Sequence, residues 1–395
     1  MPIRANSEEV AGGRSIPFDR PNWRTRDELW AEQGRGCRRP CRATGTAIVT
    51  ALPVVDISGL RSGSDADLAR IAGELGAVAH DVGFCYLAGT GIPDTTVERL
   101  LEVTEAFFSL PADTKMRSYI GLSSCHRGYV PAGEEVTYDG TVDLKEAFDT
   151  ALDLPADDPD HLAGNPMLGP NVWPEVEGFA EAVTDYYARA MDVGRLLFRA
   201  LAIAMGEGPD FFDGITTRSP SQLRLVHYPF DDAAEDAVGF GAHTDFECFT
   251  LLKPTAPGLE VMDAHGVWVD APPIDGTLVM NIGDMFETWT NGHFVATSHR
   301  VRKVAEERYS FPLFVNVDYD TVVEPLEQFR TPGAPVRRRL SAGQHLFAQT
   351  AQSFQYLRAK LEDGTMVLPE GSAGQKEFGQ EARHGEPAHS GSRAM

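Results

Sequence analysis

Apolar positions recur along this chain at two different spacings, and the change between them falls near residue 222. Upstream, a short apolar segment at residues 52–57 predicts a strand. In the stretch that follows, residues 64–81, Leu68, Ile71, Leu75, Val78 and Ala79 share one helical face, with Ser64 placed as the N-cap. Residues 84–87 predict a buried strand and 94–110 a second amphipathic helix. Residues 154–174, rich in Pro and Asp, predict a long irregular connection. The longest helix is expected over 175–206, where Val176, Phe179, Val183, Tyr187, Met191, Gly194, Phe198, Leu201 and Met205 keep a spacing near 3.6 and read as a core stripe.

From residue 222 the pattern shortens to apolar segments separated by turns, which predicts a β sandwich or barrel. Strands are expected at 222–228, 248–252, 259–262, 278–282, 299–304 and 309–315, followed by one amphipathic helix over about 342–361. The fold class is therefore α+β dominated by β. Four regions follow: an N-terminal arm over 1–48, a helix/strand region over 49–174, a long helix with the β-rich core over 175–365, and a disordered tail over 366–395.

Composition narrows the function classes. A formal charge of −23 over 395 residues argues against nucleic acid and anionic membranes as partners. No apolar run approaches a membrane span and no secretory core opens the chain, so a cytoplasmic location is expected. Five cysteines do not make a disulfide framework in a chain of this length, and Cys37 and Cys41 lack a second ligand pair nearby.

The candidate chemistry lies in the β-rich part. His243 and Asp245 are two apart, so an extended backbone places an imidazole and a carboxylate on one face. One more imidazole from a distant strand, His299 or His293, makes a three-ligand face. Two His and one carboxylate with open positions opposite suit a non-haem Fe(II) centre. Arg308 and Ser310 are also two apart, and a guanidinium beside a hydroxyl is shaped to grip a small carboxylate. The competing reading of Arg308 is an ion pair with Glu306 or Glu307. Asn281 and Asp284 read as braces of the turn into a helix near 285–289, and Tyr129, Phe246 and Phe314 as candidate pocket walls.

Leu223-Arg224-Leu225-Val226-His227-Tyr228-Pro229, His243-x-Asp245, Thr250-Leu251-Leu252, Pro257-Gly258-Leu259, Asn281-Ile282-Gly283-Asp284, His299-Arg300-Val301 and Arg308-Tyr309-Ser310 occur in one order. In that order they resemble the isopenicillin N synthase-like 2-oxoglutarate/Fe(II)-dependent oxygenases over roughly residues 52–325. The resemblance implies a double-stranded β-helix (jelly roll) backed by helices, with His243, Asp245 and His299 as metal ligands. It also implies that 2-oxoglutarate sits with its far carboxylate against Arg308 and Ser310, with a further hydrogen bond from Tyr228. Fe(II), 2-oxoglutarate and O2 would then serve to hydroxylate, desaturate or cyclise a small molecule, of the kind met in specialised metabolism and antibiotic biosynthesis. Segments 125–130 and 143–148 resemble parts that approach the active-site mouth in that family. Val226 stands where plant members often carry Asn, while Tyr228 is kept. Isopenicillin N synthase and the aminocyclopropane carboxylate oxidases share the fold and ligands without using 2-oxoglutarate, which leaves an Fe(II) oxidase of that kind as the alternative. Two readings from other classes are a Zn-dependent hydrolase with Glu247 as base and a non-catalytic jelly-roll binding module.

The arm over 1–48 carries nine Arg, six acidic residues and no hydrophobic periodicity, so it is expected to be disordered. Family-like text begins soon after Val49, a plausible alternative start. A chain beginning at Val49 is expected to match the full chain in melting temperature and turnover, because an arm without an apolar face buries little. Loss of several degrees, or of most activity, would show that the arm docks on the core.

Overall fold

The computed structural model describes residues 52–136, 145–229, 238–302, 306–369 and 378, with side chains of the segment 238–243 described from Gly241 onward. The arm over 1–48, Cys37 and Cys41, and all of the tail past 369 except Phe378, lie outside the described residues.

Two sheets carry the site. The larger contains β1 (Val54–Asp56), β2 (Phe84–Ala88), β3 (Gly128–Val130), β4 (Glu146–Ala151), β5 (Gln222–Tyr228), β7 (Phe249–Pro254), β10 (Leu278–Ile282) and β12 (Arg308–Val315), in the order β1-β2-β10-β7-β12-β5-β4-β3. The smaller contains β6 (Val238–His243), β8 (Leu259–Met262), β9 (Trp268–Asp270) and β11 (His299–Arg302), in the order β6-β11-β8-β9. Only β1–β2 is parallel; every other pair in these sheets is antiparallel. This is the double-stranded β-helix, or jelly roll, with helices α1 (Asp65–Asp81), α2 (Asp94–Phe108) and α3 (Phe179–Ala204) in its N-terminal half.

Side-chain alternation decides what each sheet face meets. On β12, Phe311, Leu313 and Val315 are fully buried toward the helices, with Phe311 lying 6.3 Å from Tyr186 of α3 between ring centroids. Phe198 of α3 meets Phe249 of β7 edge-on at 5.0 Å. The opposite residues of these strands, Arg308, Ser310, Pro312 and Phe314 on β12 and Thr250 and Leu252 on β7, line a cavity between the sheets. One strand thus contributes its apolar face to the core and its chemistry to the site. Each of those fully buried aromatic side chains stabilises the sheet–helix contact by roughly 1.5–3 kcal/mol.

Ser64 caps α1 as expected, its hydroxyl accepting from the Asp67 N–H at 3.3 Å. The long helix differs from its expected bounds. It starts at Phe179, because Gly178 adopts a left-handed backbone (φ 74°) and residues 175–178 remain outside. Its buried face is broader than the expected stripe, with Tyr186 rather than Tyr187 fully enclosed. The single helix expected over 342–361 is two: after the short α4 (Asp284–Trp289) come α5 (Ala342–Ser353) and α6 (Gln355–Glu362). Phe354 between them is extended (φ −104°, ψ 130°) and bridges to Glu135. The break turns the Phe354 ring into the cavity wall. The apolar pattern does not predict β6, which has two Gly among its six residues, and the charged start of β4 suggests a helix opening rather than a strand. Glu146 and Asp149 are instead neutralised by Lys115 and Arg224, which permits them in a buried sheet.

Candidate active site

β6 ends on His243, and β11 begins on His299 directly opposite it in the antiparallel register. Asp245 lies just past the end of β6. The Nε2 atoms of both imidazoles are 3.6 Å from Asp245 Oδ1, and one ligand atom from each of the three lies within 4.8 Å of the others. Backbone carbonyls orient both rings: His243 Nδ1 meets Gly241 O at 2.9 Å and His299 Nδ1 meets Thr297 O at 3.2 Å. With Nδ1–H donating to a carbonyl, Nε2 is the nitrogen that could ligate a metal.

The carboxylate is held just as firmly. Asp245 Oδ2 accepts from Asn281 Nδ2 at 2.7 Å and from the Thr250 hydroxyl, which leaves Oδ1 turned to the imidazoles. The backbone carrying Asp245 and Glu247 lies on Gly283, where an added Cβ would collide with the Glu247 carbonyl oxygen. Electrostatics favour ligation. Burial, then the neighbouring His299, pushes His243 down to about 3, so it is a neutral donor. Burial alone would raise the Asp245 carboxyl, but His299, His243 and the two hydrogen bonds outweigh it and hold it below its ordinary value. Two imidazoles and one carboxylate on one side of a cavity are the donor set that suits Fe(II).

That cavity encloses about 1200 Å³, its open mouth included, between the two sheets. At one end stands Arg308, 1% exposed. Its Nε donates to Ala256 O at 3.2 Å and its guanidinium carbon stacks 4.7 Å from the Tyr228 ring centroid. Among the described residues, Nη1 and Nη2 have no hydrogen-bond partner. Burial pulls this guanidinium below its ordinary value, with Tyr228 opposing. A buried cation with two unsatisfied donors is costly unless an anion completes it. Ser310, two residues on, lines the same end. The residues therefore fit a ligand carboxylate there.

Glu307 does not pair with Arg308; it accepts from the Tyr309 hydroxyl at 3.0 Å and meets His227 Nε2 at 2.8 Å. His293 stands apart from the triad, stacked on His80 at 4.4 Å. Phe246 and Phe314 line the cavity, as does Val226. Tyr129 does not. Its hydroxyl donates to Glu146 at 2.6 Å and its ring packs edge-on against Phe107, so the wall expected there is core packing instead. Glu247 lines the cavity beside the triad, where burial and then Asp245 push its carboxyl up to about 8.

Several site residues carry no such signal in the sequence. Asn281 reads there as a turn brace, yet it orients the Asp245 carboxylate together with Thr250. Asn281→Ala is expected to weaken Fe(II) binding roughly ten- to a hundredfold, as loss of outer-shell support typically does. A Fe(II) titration unchanged from wild type would show that Thr250 alone suffices. Far along the cavity stands a charged group that spacing does not reveal. Arg224 clamps Asp149 through Nε and Nη2 (2.7 and 2.8 Å) and Glu135 through Nη1 (2.7 Å), and Lys145 meets Glu135 at 2.9 Å. Gln222, Arg224, Val226 and Tyr228 alternate on β5 and all line the cavity; an Arg inside a buried strand was the available signal.

Comparisons with known proteins agree with this geometry. The family of the non-haem dioxygenase in morphine synthesis N-terminal region matches residues 52–176, and the 2OG-Fe(II) oxygenase superfamily matches residues 219–317. A rice homoarginine-6-hydroxylase is 34% identical over 77% of this chain and 98% of its own. The 2-oxoglutarate-dependent dioxygenase tropC of Talaromyces stipitatus is 33% identical over 70% of this chain and 89% of its own. Among solved structures, a 2OG-Fe(II) oxygenase family protein from Caulobacter crescentus superposes with TM-score 0.67 at 31% identity, covering 80% of this chain and 99% of that one. A full-length Neurospora crassa protein solved in complex with α-ketoglutarate gives TM-score 0.66 at 26% identity, covering 76% and 96%. The chain belongs to the isopenicillin N synthase-like 2-oxoglutarate/Fe(II)-dependent oxygenases and is a dioxygenase that uses Fe(II), 2-oxoglutarate and O2.

Proposed function

We propose that this chain hydroxylates, desaturates or cyclises a small-molecule specialised metabolite, with His243, Asp245 and His299 holding Fe(II) and with Arg308, Ser310 and Tyr228 holding 2-oxoglutarate. The observation that carries the reading is the common cavity: the three ligand atoms and the unsatisfied Arg308 Nη groups open into one space. When bound, iron with 2-oxoglutarate and O2 supplies an oxidant that breaks a C–H bond, with succinate and CO2 as co-products.

The chain's own residues supply placement. Gly241 O and Thr297 O fix the imidazole planes, and Asn281 with Thr250 fixes the carboxylate, so the ligand face is set before any metal arrives. Arg308 offers a forked pair of donors to the far carboxylate of the cosubstrate, and the Tyr228 ring packed on it keeps the fork in one plane. The apolar lining from Phe84, Leu252, Leu259, Val301 and Phe314 excludes water from the reacting region. Among the described residues no helix is long and apolar enough to cross a membrane.

The test is incubation of Fe(II)-loaded protein with 2-oxoglutarate and a small-molecule library, reading succinate release. Homoarginine and thymine are natural first members, since relatives carry those names in their activity or bound ligand. A reading above the substrate-free rate for at least one compound is expected; 2-oxoglutarate that is neither bound nor consumed would overturn the proposal.

A further inference from the structure

Gln222 opens β5, and strand alternation sets its side chain on the cavity face while Leu223 packs in the core on the other. The residue is 6% exposed, yet among the described residues its carboxamide makes no hydrogen bond. A carboxamide kept from water needs a donor and an acceptor as partners, and leaving both unmet is costly. The cavity is where such partners can come from. The register also puts Gln222 near the metal ligands. Phe314 of β12 stands between Gln222 and Thr250 of β7, and Thr250 pairs in turn with Asn281 of β10. Thr250 and Asn281 are the residues that hold Asp245. Gln222 thus begins the cross-strand row that supports the carboxylate ligand, two strand spacings or roughly 10 Å from Thr250.

A second neutral group comes from α5. Near its start His345 meets Asp284 at 3.2 Å, and just past its end the Phe354 ring centroid lies 5.4 Å from the Arg224 guanidinium carbon. Leu346, Thr350 and Phe354 follow at four-residue spacing and line the cavity. Thr350 therefore stands between the triad side and Arg224. It too is 6% exposed, and its hydroxyl makes no hydrogen bond among the described residues. Arg224 is already engaged, each of its three guanidinium nitrogens bonding Asp149 or Glu135. Along β5, β12 and α5, beyond the residues assigned to 2-oxoglutarate, the open hydrogen-bonding capacity facing the cavity is that of a carboxamide and a hydroxyl. The aromatic face of Phe314 lies beside them.

We infer that Gln222 recognises a small, planar, neutral substrate through an amide edge, an N–H beside a C=O as in a lactam or cyclic imide. The inference rests on the function proposed above and names the substrate class of that site. The Gln222 oxygen accepts from the ligand N–H while its NH2 donates to the ligand C=O, the paired arrangement that two carboxamides make. The Thr350 hydroxyl supplies one further bond, and the flat ligand lies against Phe314. A lactone or an N-methylated amide of the same shape leaves the Gln222 oxygen unmet, and a site built to hydrogen-bond rejects such an analogue. With its amide edge held at Gln222, the substrate turns its opposite edge to the triad, and oxidation falls on a carbon remote from the amide. Gln222 is the specificity-determining residue in this scheme.

The test uses the full chain loaded with Fe(II) and 2-oxoglutarate without O2. Isothermal titration calorimetry compares pyrrolidinone, piperidinone, succinimide and uracil with their N-methyl derivatives and with valerolactone. At least one free amide is expected to bind, and loss of its N–H to weaken binding roughly ten- to a hundredfold, the cost of leaving a buried acceptor unmet. Gln222→Met keeps the length of the side chain and removes both polar atoms. It should bring free and N-methyl forms to equal affinity, with 2-oxoglutarate affinity unchanged. Thr350→Val should weaken the free amide by a smaller factor and keep the preference. No amide binding, N-methyl forms binding as well as free ones, or a preference that survives in Gln222→Met would overturn the inference. A wild-type chain that fails to bind 2-oxoglutarate would instead overturn the proposed function beneath it.

Discussion

Asp245→Ala or His299→Ala is expected to abolish iron binding and turnover while the fold survives. Each change removes one of three donors whose ligand atoms lie within 4.8 Å of one another. Outer-shell losses alone cost about ten- to a hundredfold in metal affinity, so loss of a ligand should exceed roughly a hundredfold. The fold should tolerate it because both side chains face the cavity rather than the core between sheet and helices, where Phe249, Phe311 and Val315 are fully buried. Asp245→Ala strips partners from Asn281 and Thr250, a local cost of about 1–3 kcal/mol that a stable domain absorbs. Iron content after anaerobic loading, succinate release and a circular dichroism melt decide the matter together. Either variant turning over near the wild-type rate in metal-buffered solution would remove that residue from the ligand set.

Arg308→Ala should raise the 2-oxoglutarate concentration needed for half-maximal turnover by roughly a hundredfold. A charge-assisted contact to a desolvated carboxylate is worth about 1.5–3 kcal/mol, and each 1.4 kcal/mol is tenfold. The upper part of that range applies because Arg308 is 1% exposed and its Nη groups have no other partner among the described residues. Arg308→Lys should recover only part of the loss, since a point charge replaces a planar fork. Iron binding should be untouched, which separates this defect from loss of a ligand. An unchanged cosubstrate requirement would detach Arg308 from 2-oxoglutarate.

Both sets of residues are legible in the sequence for one physical reason. Strand alternation fixes which residues share a face, so Arg308 with Ser310 can be paired from spacing alone, and the same spacing pairs His243 with Asp245 although Asp245 lies just past the end of β6. Helical spacing likewise exposes the core stripes of α1 and α3, and Ser64 marks where α1 begins. Spacing does not say which distant face comes opposite. The choice of His299 over His293 needs the family resemblance, and its cause is the β6–β11 register that sets His299 against His243.

Tertiary packing decided the rest. β6 escapes notice because its two glycines carry no strand signal, and its pairing with β11 supplies what local preference lacks. The 3.6 spacing runs through Phe354 without a pause, yet its backbone bridges to Glu135 and breaks the helix, because that contact places the ring in the cavity wall. Tyr129 and Phe246 look equivalent as aromatic wall candidates; Tyr129 turns to Lys115 and Glu146, and only Phe246 reaches the cavity. Asn281 meets Asp245 across 36 positions, and Arg224 meets Asp149 across 75. Local spacing along the sequence pairs the candidate ligands His243 and Asp245, and leaves the third, His299, to the strand register. What holds those ligands still, and what stands at the far end of the cavity, was set by contacts between strands that no local period records.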